Sequence, residues 1–191
     1  MPAAADYFLG QARNNAWANH RLLTACAGLT EAEFLARRTG FFPTLKATLN
    51  HILVVDWLYV DALEGGDLGP AAYADEEPCA TVAELQQAQT AVDRRLIDFC
   101  AALDGAALGR KVRLIRADGD RFERCDRVLL HLFQHQVHHR GQVHAMLSGT
   151  SVAPPQLDEY FLNQDRDLRR EEIAALGWDE DDLWRDWPTP A

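Results

Sequence analysis

Five of the seven histidines in this 191-residue chain lie in one stretch, HLFQHQVHHRGQVH, residues 131–144. Neutral imidazole is a good ligand for divalent transition metals, and spacing decides whether several can act on one ion. On a helix, residues four apart project from one face a turn apart, so His135 and His139 could offer two nitrogens to a single ion. His131 lies one turn before His135 and extends the same line, His138 sits at the edge of that stripe, and His144 is further round. A polar helix edge would give the same pair. His51, set in the apolar run LNHILVVDWLYV, could close a set of three nitrogens and leave one coordination position for water or substrate. By itself His51 reads equally well as a hydrogen-bonded core residue.

Other chemistries are excluded by what is missing. The metallopeptidase pattern H-E-x-x-H needs Glu directly after the first His to polarise bound water, and here Gln136 holds that place. There is no G-x-x-x-x-G-K-[ST] or G-x-G-x-x-G for a nucleotide, and no G-x-S-x-G for a serine hydrolase. Cys26, Cys79, Cys100 and Cys125 are scattered without a C-x-x-C pair, and read as small buried hydrophobes, reduced in the cytoplasm.

The elements that must position these side chains follow from periodicity. Residues 6–26 recur as Phe8, Leu9, Ala12, Ala16, Leu22, Leu23 and Cys26, a helical stripe stopped near Gly28, and Thr30 can cap a short turn ahead of Glu31 and Glu33. A second long helix starts near Pro43-Thr44, carries Leu45, Leu49, Ile52, Val55, Leu58 and Leu63, and ends at Gly65-Gly66. Residues 69–78 read as a loop. Thr81 with Glu84 has capping-box spacing and opens a third helix that runs to about Asp104-Gly105. KVRLIR alternates, DGD is a turn signal and RFE resumes, so a small hairpin or extended crossover precedes the fourth helix. That helix, about residues 124–147, carries the histidines and closes at Ser148-Gly149.

Four amphipathic helices of similar length bury their stripes most simply as an all-α four-helix bundle over residues 1–150. Residues 151–191, with Leu157, Tyr160, Phe161, Leu162, Trp178, Trp184 and Trp187, form a helical tail packed on the bundle or on a neighbouring subunit, not a separate domain. A formal charge of −10 without a compensating Lys/Arg block argues against nucleic acid. No apolar run approaches membrane-spanning length, and MPAAADYF lacks the features of a signal peptide, so the expectation is a cytoplasmic protein without a membrane partner.

The stretches NNAWANHRLL, FFPTLKATLNHILVVDWLYV, LLHLFQHQVHHRGQVHAML and PPQLDEYF, in that order, resemble the DinB-like (DinB/YfiT) superfamily of metal-binding four-helix bundles. The most specific match is H-x-x-H-H-R-G-Q in the last long helix. The resemblance implies an up-down-down-up helix order, a homodimer, and a divalent ion held by His51, His135 and His139. Imidazole ligands suit zinc, nickel, iron or copper; zinc is expected first because it is available and tolerates an open tetrahedral site, with nickel next. His131 and His138 then fall outside the ligand set, with His138 orienting a neighbour. The family's assigned chemistry implies two readings. One is a thiol-dependent S-transferase or isomerase in which the metal activates a low-molecular-weight thiol or water against a small electrophile. The other is a non-catalytic, metal-stabilised structural or stress-responsive dimer.

Around that centre, Gln142 can reach the pocket rim. Asp56 stands about 140° around the helix from His51 and is a poor ligand. Arg140 faces away from the ion, toward a carboxylate of another helix or a dimer surface. Trp17 reads as a packing anchor, Asn19 as a hydrogen-bonding element, and Leu132, Phe133 and Val137 as core.

Overall fold

The computed structural model of the chain describes residues 3–183; Trp184 and Trp187 lie outside them. Long helices α1 (Ala4–Cys26), α3 (Leu45–Glu64), α4 (Val82–Ala101) and α5 (Cys125–Leu147) form the bundle, and α2 (Glu31–Leu35) is a single short turn between α1 and α3. Strands β1 (Lys111–Leu114) and β2 (Arg121–Arg124) pair antiparallel, with Lys111 opposite Arg124, and form the expected crossover. Helices α6 (Arg170–Ala175) and α7 (Glu180–Leu183) belong to the tail.

Local chemistry sets the ends. The Thr44 hydroxyl accepts from the Ala47 amide at 3.0 Å, and Gly65 takes a left-handed φ of 88° that terminates α3. Thr81 and Glu84 close a reciprocal capping box on α4. That helix stops at Ala101, short of Asp104, and the expected loop after α3 contains a 3-10 turn at Gly69–Tyr73.

Helix directions follow from side-chain pairs. Asn50 bonds the Cys79 carbonyl ahead of α4, Asp56 meets Gln89, and Glu64 meets Arg95, so α3 and α4 run parallel. His51 lies beside His139 and Tyr59 beside His131, so α5 runs antiparallel to α3. Helices α3 and α4 each pack against α1 or α5 as well as each other, which is the expected down-down middle of the bundle. A parallel neighbour requires the chain to return the length of α3, which residues 65–81 do. Leu53, Leu63, Leu85, Leu96, Leu129, Leu132 and Leu147 are fully buried between the helices. No helix among the described residues is long and apolar enough to cross a membrane.

The tail makes a second, smaller cluster on the outer side of α1. Phe161 stacks on Trp17 with ring centroids 5.1 Å apart, joined by Ile173, Leu183 and Trp178. Phe161 holds a left-handed φ of 49°, unusual for a residue with a Cβ, and the stacking keeps it there. The Trp17 indole donates to Glu172 at 2.7 Å, and Arg21 lies over the same ring. Arg169, 1% exposed, pairs with Glu159 and Glu180.

Two positions depart from expectation. Val137 is 54% exposed although expected in the core, because it falls on the outward side of α5, away from the line of Leu129, Leu132, Gln136 and Val143. Leu162 is also exposed while its neighbour Phe161 is buried.

Candidate metal centre

Helix α5 presents His135 and His139 one turn apart toward α3, and His51 stands opposite them near the start of that helix. One ligand atom from each of the three histidines lies within 4.8 Å of the others. His51 Nε2 and His135 Nε2 are 3.0 Å apart. Tetrahedral ligands at ordinary zinc–nitrogen distances stand about 3.3 Å from each other, so these two already approach the spacing that a shared ion imposes.

The orientation of His139 is fixed from outside the cluster. Its Nδ1–H donates to the Gln142 amide oxygen at 2.8 Å, which leaves the lone pair on Nε2. The Gln142 amide nitrogen in turn donates to His138 Nε2 at 3.1 Å, so His138 steadies the glutamine that steadies the ligand. His131 is turned instead against the Tyr59 ring, 5.1 Å away. His135 Nδ1 is buried with no hydrogen-bond partner among the described residues.

Burial first, then the neighbouring imidazoles, pushes the His135 pKa down to about 3. Burial and His139 push His51 down to about 4. His139 is lowered too, mainly by burial, with the Gln142 bond opposing. All three are therefore neutral at pH 7, the form that ligates a metal. Three neutral imidazoles, one with its outer nitrogen tied to an amide oxygen, fit a divalent ion with a position left open. A cavity of about 640 Å³ reaches His51, walled by Phe41, Phe42, Val54 and Tyr73 with Arg37 and Glu76 at its edge. The Phe42 ring sits 4.3 Å from His51 and covers one side of the cluster.

One position along α5 from each paired histidine begins a different arrangement. Gln136 and Arg140 turn into the bundle and are buried with Asn15, Asn19, Asp56, Gln89 and Asp93. Gln89 donates to Asp56 at 2.7 Å and to Asp93 at 3.1 Å. Asn19 donates to both Asp93 oxygens, at 3.0 and 3.2 Å. Arg140 donates to the amide oxygens of Asn15, Asn19 and Gln136. Burial, and then the Asp93 charge, raises the Asp56 pKa to about 7, against the pull of Gln89, Gln136 and Arg140. Burial likewise raises Asp93 to about 6. Asp56 thus lies outside the three-histidine cluster, as its position on α3 implies. Arg140 turns inward, where its bonds go to the amide oxygens of Asn15, Asn19 and Gln136 and not to a carboxylate.

This polar layer was legible only in part. Ala12, Asn15, Asn19, Leu22 and Cys26 recur at spacings of 3-4-3-4, and Leu85, Gln89, Val92 and Leu96 at 4-3-4. The polar members sit on the apolar stripe itself, and that was the available signal.

The model of the DinB family matches residues 4–172 of the chain. An uncharacterized protein of Bacillus subtilis (strain 168), YizA, is 24% identical over 131 residues, which cover 69% of this chain and 80% of that protein. Among solved structures, a DinB-like protein from Bacillus cereus ATCC 10987 superposes with a TM-score of 0.62 at 16% identity, over 78% of this chain and 94% of that one.

Proposed function

The chain belongs to the DinB family, and from that premise we propose that His51, His135 and His139 hold one divalent metal ion, zinc first and nickel next, at an open site for a small electrophile. The observation that carries this reading is the convergence of three neutral imidazoles from two helices, with ligand atoms within 4.8 Å of one another. When bound, such an ion supplies Lewis acidity and lowers the pKa of a thiol or water at its open position. The protein's own part is to hold three lone pairs in place, to fix His139 through Gln142, and to shelter one side with Phe42.

A low-molecular-weight thiol is the cosubstrate we favour, for S-transfer or isomerisation. The chain's own thiols are poorly suited to that part: all four cysteines are free and buried, and burial pushes Cys26 and Cys100 up to about 12 and raises Cys79 and Cys125. Free, buried thiols also suit a cytoplasmic location.

The second reading, a metal-stabilised dimer without catalysis, is supported by Leu130 and Val137, 59% and 54% exposed and seven residues apart on the outer side of α5. An apolar strip of that kind suits a second copy.

Elemental mass spectrometry of the untagged full chain tests the centre. About one ion per chain is expected, falling to near zero in both His51→Ala and His139→Ala. No ion after reconstitution with zinc or nickel would sink the metal reading. A metal-loaded chain that gives no turnover across thiols and small electrophiles, yet sediments as a dimer, would favour the structural one.

A further inference from the structure

Apart from the cluster of His51, His135 and His139, α1, α4 and the tail line a second cavity of about 490 Å³, with His20 at its wall. We propose that it is a ligand site for a small organic cation: a primary ammonium on a short aromatic or branched apolar body.

The cavity has the size of an ordinary small-molecule site. Leu23, Ile97, Leu176 and Trp178 supply an apolar wall, and Asn19, Gln89 and Asp93, all more than nine-tenths buried, line it as well. The tail is held against the bundle by Trp17, Glu172 and Arg21, so this wall belongs to the folded chain.

The polarity of those buried groups selects the ligand. The side-chain amide nitrogens of Asn19 and Gln89 already donate to carboxylates. An incoming acceptor therefore finds no free donor among these buried groups, the guanidinium of the lining being that of Arg94 on the exposed side, whereas an incoming donor finds a carboxylate. Asp93 Oδ1 accepts from Asn15, Asn19 and Gln89, but Oδ2 accepts only from Asn19, at 3.2 Å. A carboxylate oxygen has room for about two such bonds, so the spare capacity lies on Oδ2.

Charge points the same way. The polar layer contains two carboxylates, Asp56 and Asp93, and one guanidinium, Arg140. Arg140 gives its bonds to amide oxygens, and neither aspartate joins an ion pair among the described residues. The cavity lining itself carries two carboxylates, Asp93 and Asp98, against one guanidinium, Arg94, so anionic groups outnumber cationic ones along it. A buried charge without a partner is costly, and an ammonium seated at Asp93 would neutralise it.

Calorimetric titration of the full chain with 2-phenylethylamine, against 2-phenylethanol as the same body without charge, tests the proposal. Saturable amine binding is expected, with the alcohol weaker by about thirtyfold or more, the scale of a desolvated charge contact. Asp93→Asn should weaken the amine by a similar factor and spare the alcohol. Thr90→Trp, at the exposed rim, should weaken both, and His135→Ala neither. Should Asp93→Asn fail to fold, the amine–alcohol difference and Thr90→Trp still decide. The proposal is overturned by no amine binding up to about 10 mM, by equal binding of amine and alcohol, or by amine binding that Thr90→Trp leaves unchanged.

Discussion

His135 and His139 differ from Gln136 and Arg140 by one position on the same helix, a rotation of about 100°. The first pair faces α3 across a groove that reaches solvent, and its members make few bonds: His135 Nδ1 has no partner among the described residues, and two ring nitrogens stand 3.0 Å apart. The second pair faces the interior, where Arg140 bonds three side chains and links α5 to α1. An unpartnered nitrogen at the groove is a cost to folding that binding can recover. The interior layer is the more densely bonded of the two, although Asp56 Oδ1 and Gln136 Nε2 are without partners among the described residues, and its bonds fix how the helices sit. The interior layer thereby sets the rotation of α5, and so where the histidines point.

The comparison breaks first at Arg140. Arg140→Met leaves the amide oxygens of Asn15, Asn19 and Gln136 without the guanidinium that bonds them and removes the positive charge that acts on Asp93 and Asp56, so stability should fall by about 3–5 kcal/mol. His135→Ala should cost far less stability in the metal-free chain, because it removes an imidazole with an unpartnered nitrogen, while abolishing metal binding. Chemical denaturation of both variants with chelator present measures the contrast. Equal losses would mean that the two stripes are not divided as the structure divides them.

A milder change probes how the groove is supported. Gln142→Leu leaves all three imidazoles in place but takes away the acceptor for His139 Nδ1. Zinc affinity should drop by about 10–100-fold, the usual effect of losing a partner behind a ligand, with the fold intact. His138→Ala, one bond further out along the same chain, should lose less. Competition titration against a fluorescent zinc chelator gives both constants. A Gln142→Leu affinity equal to that of the parent would show that the tautomer of His139 needs no such support.

The groove was easier to foresee than the layer beneath it, for a physical reason. His135 and His139 lie on one continuous helix, where spacing alone fixes their direction, and His51 follows once α3 and α5 are neighbours. Thr44, Thr81 and Gly65 likewise mark helix ends through bonds to residues three or four away. The polar layer gathers residues from four helices, and each of them alone resembles a surface residue. Asp93 becomes a buried carboxylate only because Asn15, Asn19 and Gln89 come to it from other turns and another helix. Arg169 is the extreme case. In sequence it sits within a charged run, QDRDLRREE, and in the fold it is 1% exposed between Glu159 and Glu180. Val137 erred the other way, since hydrophobic character alone does not say which side of α5 a residue occupies.

The smallest effect expected in the parent chain is a cancellation, and it tests both regions together. His51 and His135 are lowered in the fold from 6.5 to about 4 and about 3. Between 6.5 and about 4 the unfolded chain therefore binds more protons at these sites, and stability falls as pH falls. Asp56 and Asp93 are raised in the fold from 3.8 to about 7 and about 6. From 3.8 up to those values the folded chain binds the extra protons, and stability rises as pH falls. The two slopes oppose each other over nearly the same window, each no steeper than about 1.4 kcal/mol per pH unit per group. The metal-free parent should accordingly show a shallow stability profile from pH 6.5 to 4.5. Asp56→Asn removes half of the compensating leg, leaving Asp93, and should steepen the acid loss. His135→Ala removes part of the opposing leg and should let stability climb as pH is lowered. Denaturant midpoints across that range, with chelator present, read all three curves. Parallel curves would show that the groove histidines and the interior aspartates do not titrate against one another as their burial requires.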